Sequence, residues 1–162
     1  MATTATNKQP LLIDRVFHSA IKGNTLVSGH ATNLDITGTN ESAILVNCNA
    51  NDGAVIEDLY VIARSTTAYT LLFYLSTAID FLRPTEAVYI GKLVSSTTKG
   101  LRTSSGDLPS ILAPVAQVGS DAQLNALYIP KGSNLWVSLQ GTSPVNSDDS
   151  PVIGAQLSLI HI

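Results

Sequence analysis

Hydrophobic and polar positions alternate along much of this chain with a period of two. Between Asn134 and Gln140, Leu135, Val137 and Leu139 point one way while Trp136, Ser138 and Gln140 point the other. Such alternation predicts a pleated strand with one buried face. From Val152 to Ile160 the same rule sets Ile153, Ala155, Leu157 and Leu159 against Val152, Gly154, Gln156 and Ser158. Two stretches break it by being apolar on both sides. In Val55 to Arg64, Leu59, Val61 and Ala63 oppose Ile56, Tyr60 and Ile62. In Ala68 to Leu75, Tyr69, Leu71, Phe73 and Leu75 oppose Leu72 and Tyr74. A strand of that kind is either central and covered on both faces or set against another chain. Burying each such side chain is worth roughly 1.5–3 kcal/mol, so they do not stay wet. Tyr60, Ile62, Leu72 and Tyr74 are accordingly expected at a subunit interface of a homo-oligomer.

Turn residues punctuate the pattern at short intervals. Strands are predicted at Leu12 to Ile21, Thr25 to His30, Ala43 to Cys48, Val55 to Arg64, Ala68 to Leu75, Glu86 to Val94, Ala126 to Ile129, Asn134 to Gln140 and Val152 to Ile160. Asn49-Ala50-Asn51-Asp52-Gly53 and Pro130-Lys131-Gly132-Ser133 both read as hairpin connections, with Gly132 taking the left-handed position and Lys131 in solvent. Leu108 to Val118, with two prolines, reads as extended and irregular. Ser76 to Arg83, stopped by Pro84, is the one stretch with helical character. The expectation is an all-β fold, an antiparallel, jelly-roll-like β-sandwich of about eight to ten strands. Residues 1–11 are polar and Thr-rich and read as a flexible N-terminal arm, leaving 12–162 as a single domain.

Composition narrows the function more than it defines one. Charged residues make up 13% of the 162, about half the share in an ordinary globular domain. The exterior must therefore be Ser, Thr, Asn and backbone, or be covered by other subunits. A net charge of −3 with nine scattered Lys and Arg argues against a nucleic-acid surface. No apolar run approaches the ~20 residues of a membrane span, and the N-terminus lacks the features of a secretory signal. A soluble protein assembled in the cytoplasm is expected. Cys48 is the sole cysteine, which leaves no intrachain disulfide and reads as a buried, inert thiol.

Chemistry is hard to assemble from the remaining residues. His18, His30 and His161 stand far apart, and neither a nucleophile elbow nor a phosphate loop occurs. Glu57 and Asp58 are adjacent on a strand, where neighbours face opposite sides. Asp148-Asp149, and Asp52 beside Asn51, could offer oxygens to Ca²⁺, but a solvated loop is the simpler reading. Trp136 and the five tyrosines read as packing before they read as a sugar platform. The expectation is of no enzyme, no cofactor and no metal.

A run of pieces stands out: Val55-Ile56-Glu57-Asp58-Leu59-Tyr60-Val61-Ile62-Ala63, then Thr66-Thr67-Ala68, then Leu72-Phe73-Tyr74-Leu75. Glu86-Ala87-Val88-Tyr89-Ile90 and Ile129-Pro130-Lys131-Gly132-Ser133-Asn134-Leu135 complete it. In these pieces the chain resembles small virion proteins of tailed bacteriophages, of the capsid decoration or cement type. The resemblance implies a structural protein on a phage capsid surface, assembled in host cytoplasm, that stabilises the shell by bridging major capsid subunits. Its partners would be the major capsid protein and itself as a homotrimer, with no nucleic acid and no membrane. The arm, through Ala2, Thr3, Thr4, Thr6, Asn7 and Pro10, would make the capsid contact, an extended segment gaining main-chain hydrogen bonds at a sheet edge. The alternative is a carbohydrate- or receptor-binding β-sandwich module of a phage tail or fibre.

Overall fold

The computed structural model describes residues 12–23, 42–80, 82, 86–104, 113–115, 124–140 and 148–161. Ten strands form among them: β1 (Leu12–Lys22), β2 (Ser42–Asn47), β3 (Gly53–Ile62), β4 (Thr70–Ser76), β5 (Val88–Val94), β6 (Arg102–Ser104), β7 (Ala113–Val115), β8 (Leu124–Pro130), β9 (Asn134–Gln140) and β10 (Val152–His161). The predicted strand at Thr25 to His30 lies outside the described residues. Ser76 to Asp80 is not helical: Ser76 ends β4 and its Oγ accepts the Ala78 N–H at 3.1 Å. A serine hydroxyl that takes a backbone donor two residues on competes directly with a helical turn.

Two antiparallel sheets pack face to face. One runs β1-β10-β3-β8-β7, with β6 beside the far half of β3, and the other runs β2-β9-β4-β5. The pairs β1–β10, β2–β9, β3–β8 and β4–β5 are those of one long antiparallel ribbon rolled on itself, with its tip at the β4–β5 connection. That is the connectivity of a jelly roll, in which the chain passes from one sheet to the other between β1 and β2, β2 and β3, β3 and β4, β8 and β9, and β9 and β10. Short β7 carries Pro114 beyond β8, an edge position where a missing N–H is tolerated.

The core between the sheets is filled by the predicted inner faces. Leu59 and Val61 of β3, Leu71 and Phe73 of β4, Leu135, Val137 and Leu139 of β9, and Ile153 and Leu157 of β10 are all fully buried. The expectation that β9 is buried on one side only is corrected. Flanked by β2 and β4, it also buries Trp136 and Ser138 on its outer face. Residues of the ribbon tip roof that face, with Leu82 buried against Leu72, Tyr74 and Trp136 and with Ala78 and Ala87 packed alongside.

Both predicted hairpins turn out to be crossings between sheets. Pro130 ends β8 in one sheet and Asn134 opens β9 in the other, and residues 48–52 carry β2 across to β3 in the same way. The local turn chemistry is as expected: Gly132 has φ of 80° and the Ser133 N–H donates to Pro130 O at 3.1 Å. Local sequence sets the bend, whereas the partners of the flanking strands are set by distant residues.

The two crossings are tied together at one end of the sandwich. Gly132 N–H donates to Cys48 O at 3.2 Å. Fully buried Asn134 accepts from Cys48 N–H at 3.1 Å and donates through Nδ2 to Ala78 O at 2.8 Å. One side chain thus links both crossings to the base of the roof. Outside it, Lys131 pairs with Asp52 at 2.9 Å. Asn134→Ala is expected to destabilise the fold by roughly 1–3 kcal/mol for each buried group left unpaired, read from urea midpoints. Lys131→Ala, which breaks an exposed ion pair, is expected to cost under about 1 kcal/mol.

Candidate functional site

The outer face of the six-stranded sheet carries a stack centred on Tyr60. Tyr60 and Gly154 are cross-strand partners in β3 and β10, and the phenol ring lies down over the glycine. A Cβ at Gly154 would sit 2.3 Å from Tyr60 Cζ. The Arg102 guanidinium of β6 covers the ring at 4.0 Å from its centroid, and the His18 ring of β1 meets it edge-on at 6.1 Å. Arg102 is itself held by Asp58 and by Ser104 Oγ, the latter at 3.2 Å. Tyr60 is therefore 9% exposed in a single copy.

A register shift where β3 meets β10 changes the reading of the two acids. The ladder steps from Gln156↔Asp58 to Leu157↔Ile56, leaving Glu57 as the extra residue. A bulge of this kind re-aims a side chain. Glu57 accepts from Ser158 Oγ at 2.9 Å while Asp58 pairs with Arg102. Ser158 and Tyr60 both lie on the outer face, so Glu57 and Asp58 share it, contrary to the simple alternation.

The residues expected at a subunit interface are placed differently from one another. Leu72 and Tyr74 are 4% and 1% exposed, closed off by the roof of the same chain, and Ile62 is half-buried. Their two-faced pattern is accounted for within one molecule. Among the described residues, the large apolar side chains left in solvent are Ile79, Val88, Tyr89, Val94, Leu101 and Tyr128. Val88, Tyr89 and Val94 share β5, the edge of the four-stranded sheet. Edge position and exposure are tertiary facts, so the alternation alone did not single these residues out. The arm residues Ala2, Thr3, Thr4, Thr6, Asn7 and Pro10 lie outside the described residues.

Recesses open on the surface between described residues. One, of about 370 Å³, lies where the sheets part at β1 and β2, lined by Ser19, Ile44 to Asn47, Asn51, Leu157 and Leu159. There the Ser19 hydroxyl donates to Leu45 O at a register shift in β2. Another, of about 410 Å³, is polar and is formed by three connections: Ser65, Thr66, Thr67 and Tyr69 after β3, Lys99 after β5, and Asp149 before β10. Tyr69 is held by Ser95, whose Oγ accepts the Tyr69 N–H at 2.8 Å and whose N–H donates to Tyr69 O at 2.9 Å. Trp136, 2% exposed, offers no platform to a ligand. Among the described residues no three His, Cys, Asp or Glu side chains gather in one place.

Buried ionisable groups are held neutral. Burial pushes the Cys48 thiol from 9.0 up to about 11. The Tyr74 phenol is raised first by burial, with the nearby Ser138 hydroxyl opposing and Tyr89 adding to the rise. No well-formed hydrogen bond joins Tyr74 to Ser138. Tyr89, edge-on to Tyr74 at 5.7 Å, is raised by burial as well.

No family model matches the chain, and no curated protein matches it. Among solved structures it is similar to the cryo-EM structure of the giant freshwater prawn Macrobrachium rosenbergii extra small virus (XSV) VLP. That match has a TM-score of 0.37 and 10% identity, and it covers 91% of this chain and 78% of that one. A likeness of this degree carries no argument about the role of the chain, which has to come from its own geometry.

Two measurements check the packing described above. Gly154→Ala is expected to destabilise by about 1–3 kcal/mol through overpacking. In a double-mutant cycle Tyr60→Ala should recover part of that loss, because it removes the ring the new methyl meets. For Cys48, the folded state holds its proton more tightly than the unfolded one. Its contribution is therefore fully present below about pH 9 and is lost as pH rises towards about 11. The stability difference between wild type and Cys48→Ala should shrink across that window.

Proposed function

We propose that this chain is a non-enzymatic structural component of a virion, a decoration or cement protein that stabilises a phage shell by bridging major capsid subunits. The observation that carries the reading is the rolled ribbon itself, with β1–β10, β2–β9, β3–β8 and β4–β5 paired. Jelly rolls of this connectivity are characteristic of capsid and lectin domains, so the step from fold to role is an analogy at the level of the fold. Sparse charge and exposed apolar side chains along the β5 edge support a body made to touch other protein. In this reading Val88, Tyr89 and Val94 contribute to a homotrimer contact, and residues 1–11 lie across neighbouring shell subunits.

A second reading has one observation in its favour. The polar recess combines an aromatic ring, hydroxyls, an ammonium and a carboxylate from Tyr69, Thr66, Thr67, Lys99 and Asp149, a set suited to a saccharide or receptor glycan. It belongs to a carbohydrate- or receptor-binding module of a phage tail or fibre.

Sizing by light scattering and a shell-binding assay separate the two. The structural reading expects a stable trimer that Val88→Lys with Val94→Lys converts to monomer, and shell binding that falls at least tenfold when Ala2 to Pro10 are removed. Undiminished binding by the truncated protein would take the arm out of the mechanism. A monomer that ignores shells but gives saturable glycan-array binding, lost in Tyr69→Ala, would overturn the cement reading.

A further inference from the structure

Three polar atoms on the roofed face have no hydrogen-bond partner among the described residues: Tyr74 Oη, Trp136 Nε1 and Ser138 Oγ. Their residues are 1%, 2% and 0% exposed. They are also neighbours. Tyr74 and Trp136 are cross-strand partners, and Ser138 stands two residues along β9 on the same face, opposite Leu72. Buried polar groups in folded proteins are almost always paired, with protein or with ordered water, and three orphans side by side are not independent accidents.

Their chemistry defines what would pair them. The indole N–H is a donor only, whereas each hydroxyl is one donor and an acceptor. A direct bond between Tyr74 and Ser138 would still leave the indole proton without an acceptor. A small group that both accepts and donates, and that fits beneath a roof containing Ala78 and Ala87, satisfies all three atoms together. Buried waters typically make about three hydrogen bonds to groups of this kind. We propose that Tyr74, Trp136 and Ser138 form an internal hydration site, in which an ordered water accepts from the Trp136 indole and joins the two hydroxyls. The water replaces the missing side-chain partners and joins β4 to β9 beneath the roof. Tyr89, 41% exposed and edge-on to Tyr74, stands where this cluster meets solvent, on the path by which the water would exchange.

The chain has one tryptophan, so its indole proton gives a single side-chain resonance that needs no assignment strategy. In the intact ¹⁵N-labelled protein, that proton should show a rotating-frame Overhauser cross-peak to water with the sign of dipolar contact rather than of chemical exchange. The peak should weaken at least twofold in Tyr74→Phe and in Ser138→Ala, and both variants should melt at lower temperature than wild type. The opposite result is equally readable. Absence of a dipolar water peak in wild type would mean a dry indole and would overturn the proposal. So would a Tyr74→Phe protein that melts at or above the wild-type temperature, because removing an unsatisfied hydroxyl is neutral or stabilising. If either variant fails to fold, the wild-type cross-peak alone decides the matter.

Discussion

Strand β9 has no face left for water, and the rest of the molecule is arranged around that constraint. Its inner residues Leu135, Val137 and Leu139 close the core against the opposite sheet, while Trp136 and Ser138 lie under the roof. Its edges are paired as well, with β4 from Asn134 to Gln140 and with β2 from Asn134 to Ser138. It must also be entered and left at fixed points, because a slip of one residue would exchange Trp136 with Leu135 between unlike environments. Asn134 supplies the entry point, bonding Cys48 on one crossing and Ala78 at the foot of the roof. Strand β3 meets the same demand differently. On its outer face the Tyr60 ring is laid over Gly154 of β10 and capped by Arg102.

Rolling a ribbon so that β1 pairs with β10 and β2 with β9 makes most contacts long-range in sequence. Folds of this kind close large loops before their contacts reward it, which is why short turns cannot organise them alone. The tied crossings at Cys48, Gly132 and Asn134 join residues 86 apart and hold the two sheets at one end. The ribbon tip finishes the job by folding over the face that its own strands leave apolar. One segment thus serves as both the turn of the ribbon and the cover of β9.

The free edges show how such a body meets its surroundings. β5 carries Lys92 in solvent and a register shift beside β4, and β7 carries Pro114. Each of these discourages uncontrolled strand addition. The apolar exposure on β5 is in side chains rather than in a flat, unbroken backbone edge, which suits a shaped contact between surfaces. For a protein whose proposed work is to hold other subunits in place, stiffness of the frame and selectivity of its edges are the relevant properties, and both follow from the packing.

What could be read from the chain alone was whatever depends on near neighbours. Alternation placed Leu135, Val137, Leu139, Ile153 and Leu157 on the core face, the scarcity of helix formers gave an all-β fold, and Pro130 to Ser133 gave the turn with its left-handed Gly132. Partnership was not legible. The same four residues would serve a hairpin or a crossing, and only the distant strands β3 and β2 decide that β8 and β9 part company there. Nor did the two-faced strands reveal their cover. Burial of Leu72 and Tyr74 is decided by Leu82, Ala78 and Ala87 packing over them, and the shared face of Glu57 and Asp58 by a bulge against β10. Side-chain period is a local property fixed by backbone geometry, whereas sheet order, layer and exposure are settled by contacts between residues far apart in sequence, and these exist only once the ribbon has rolled.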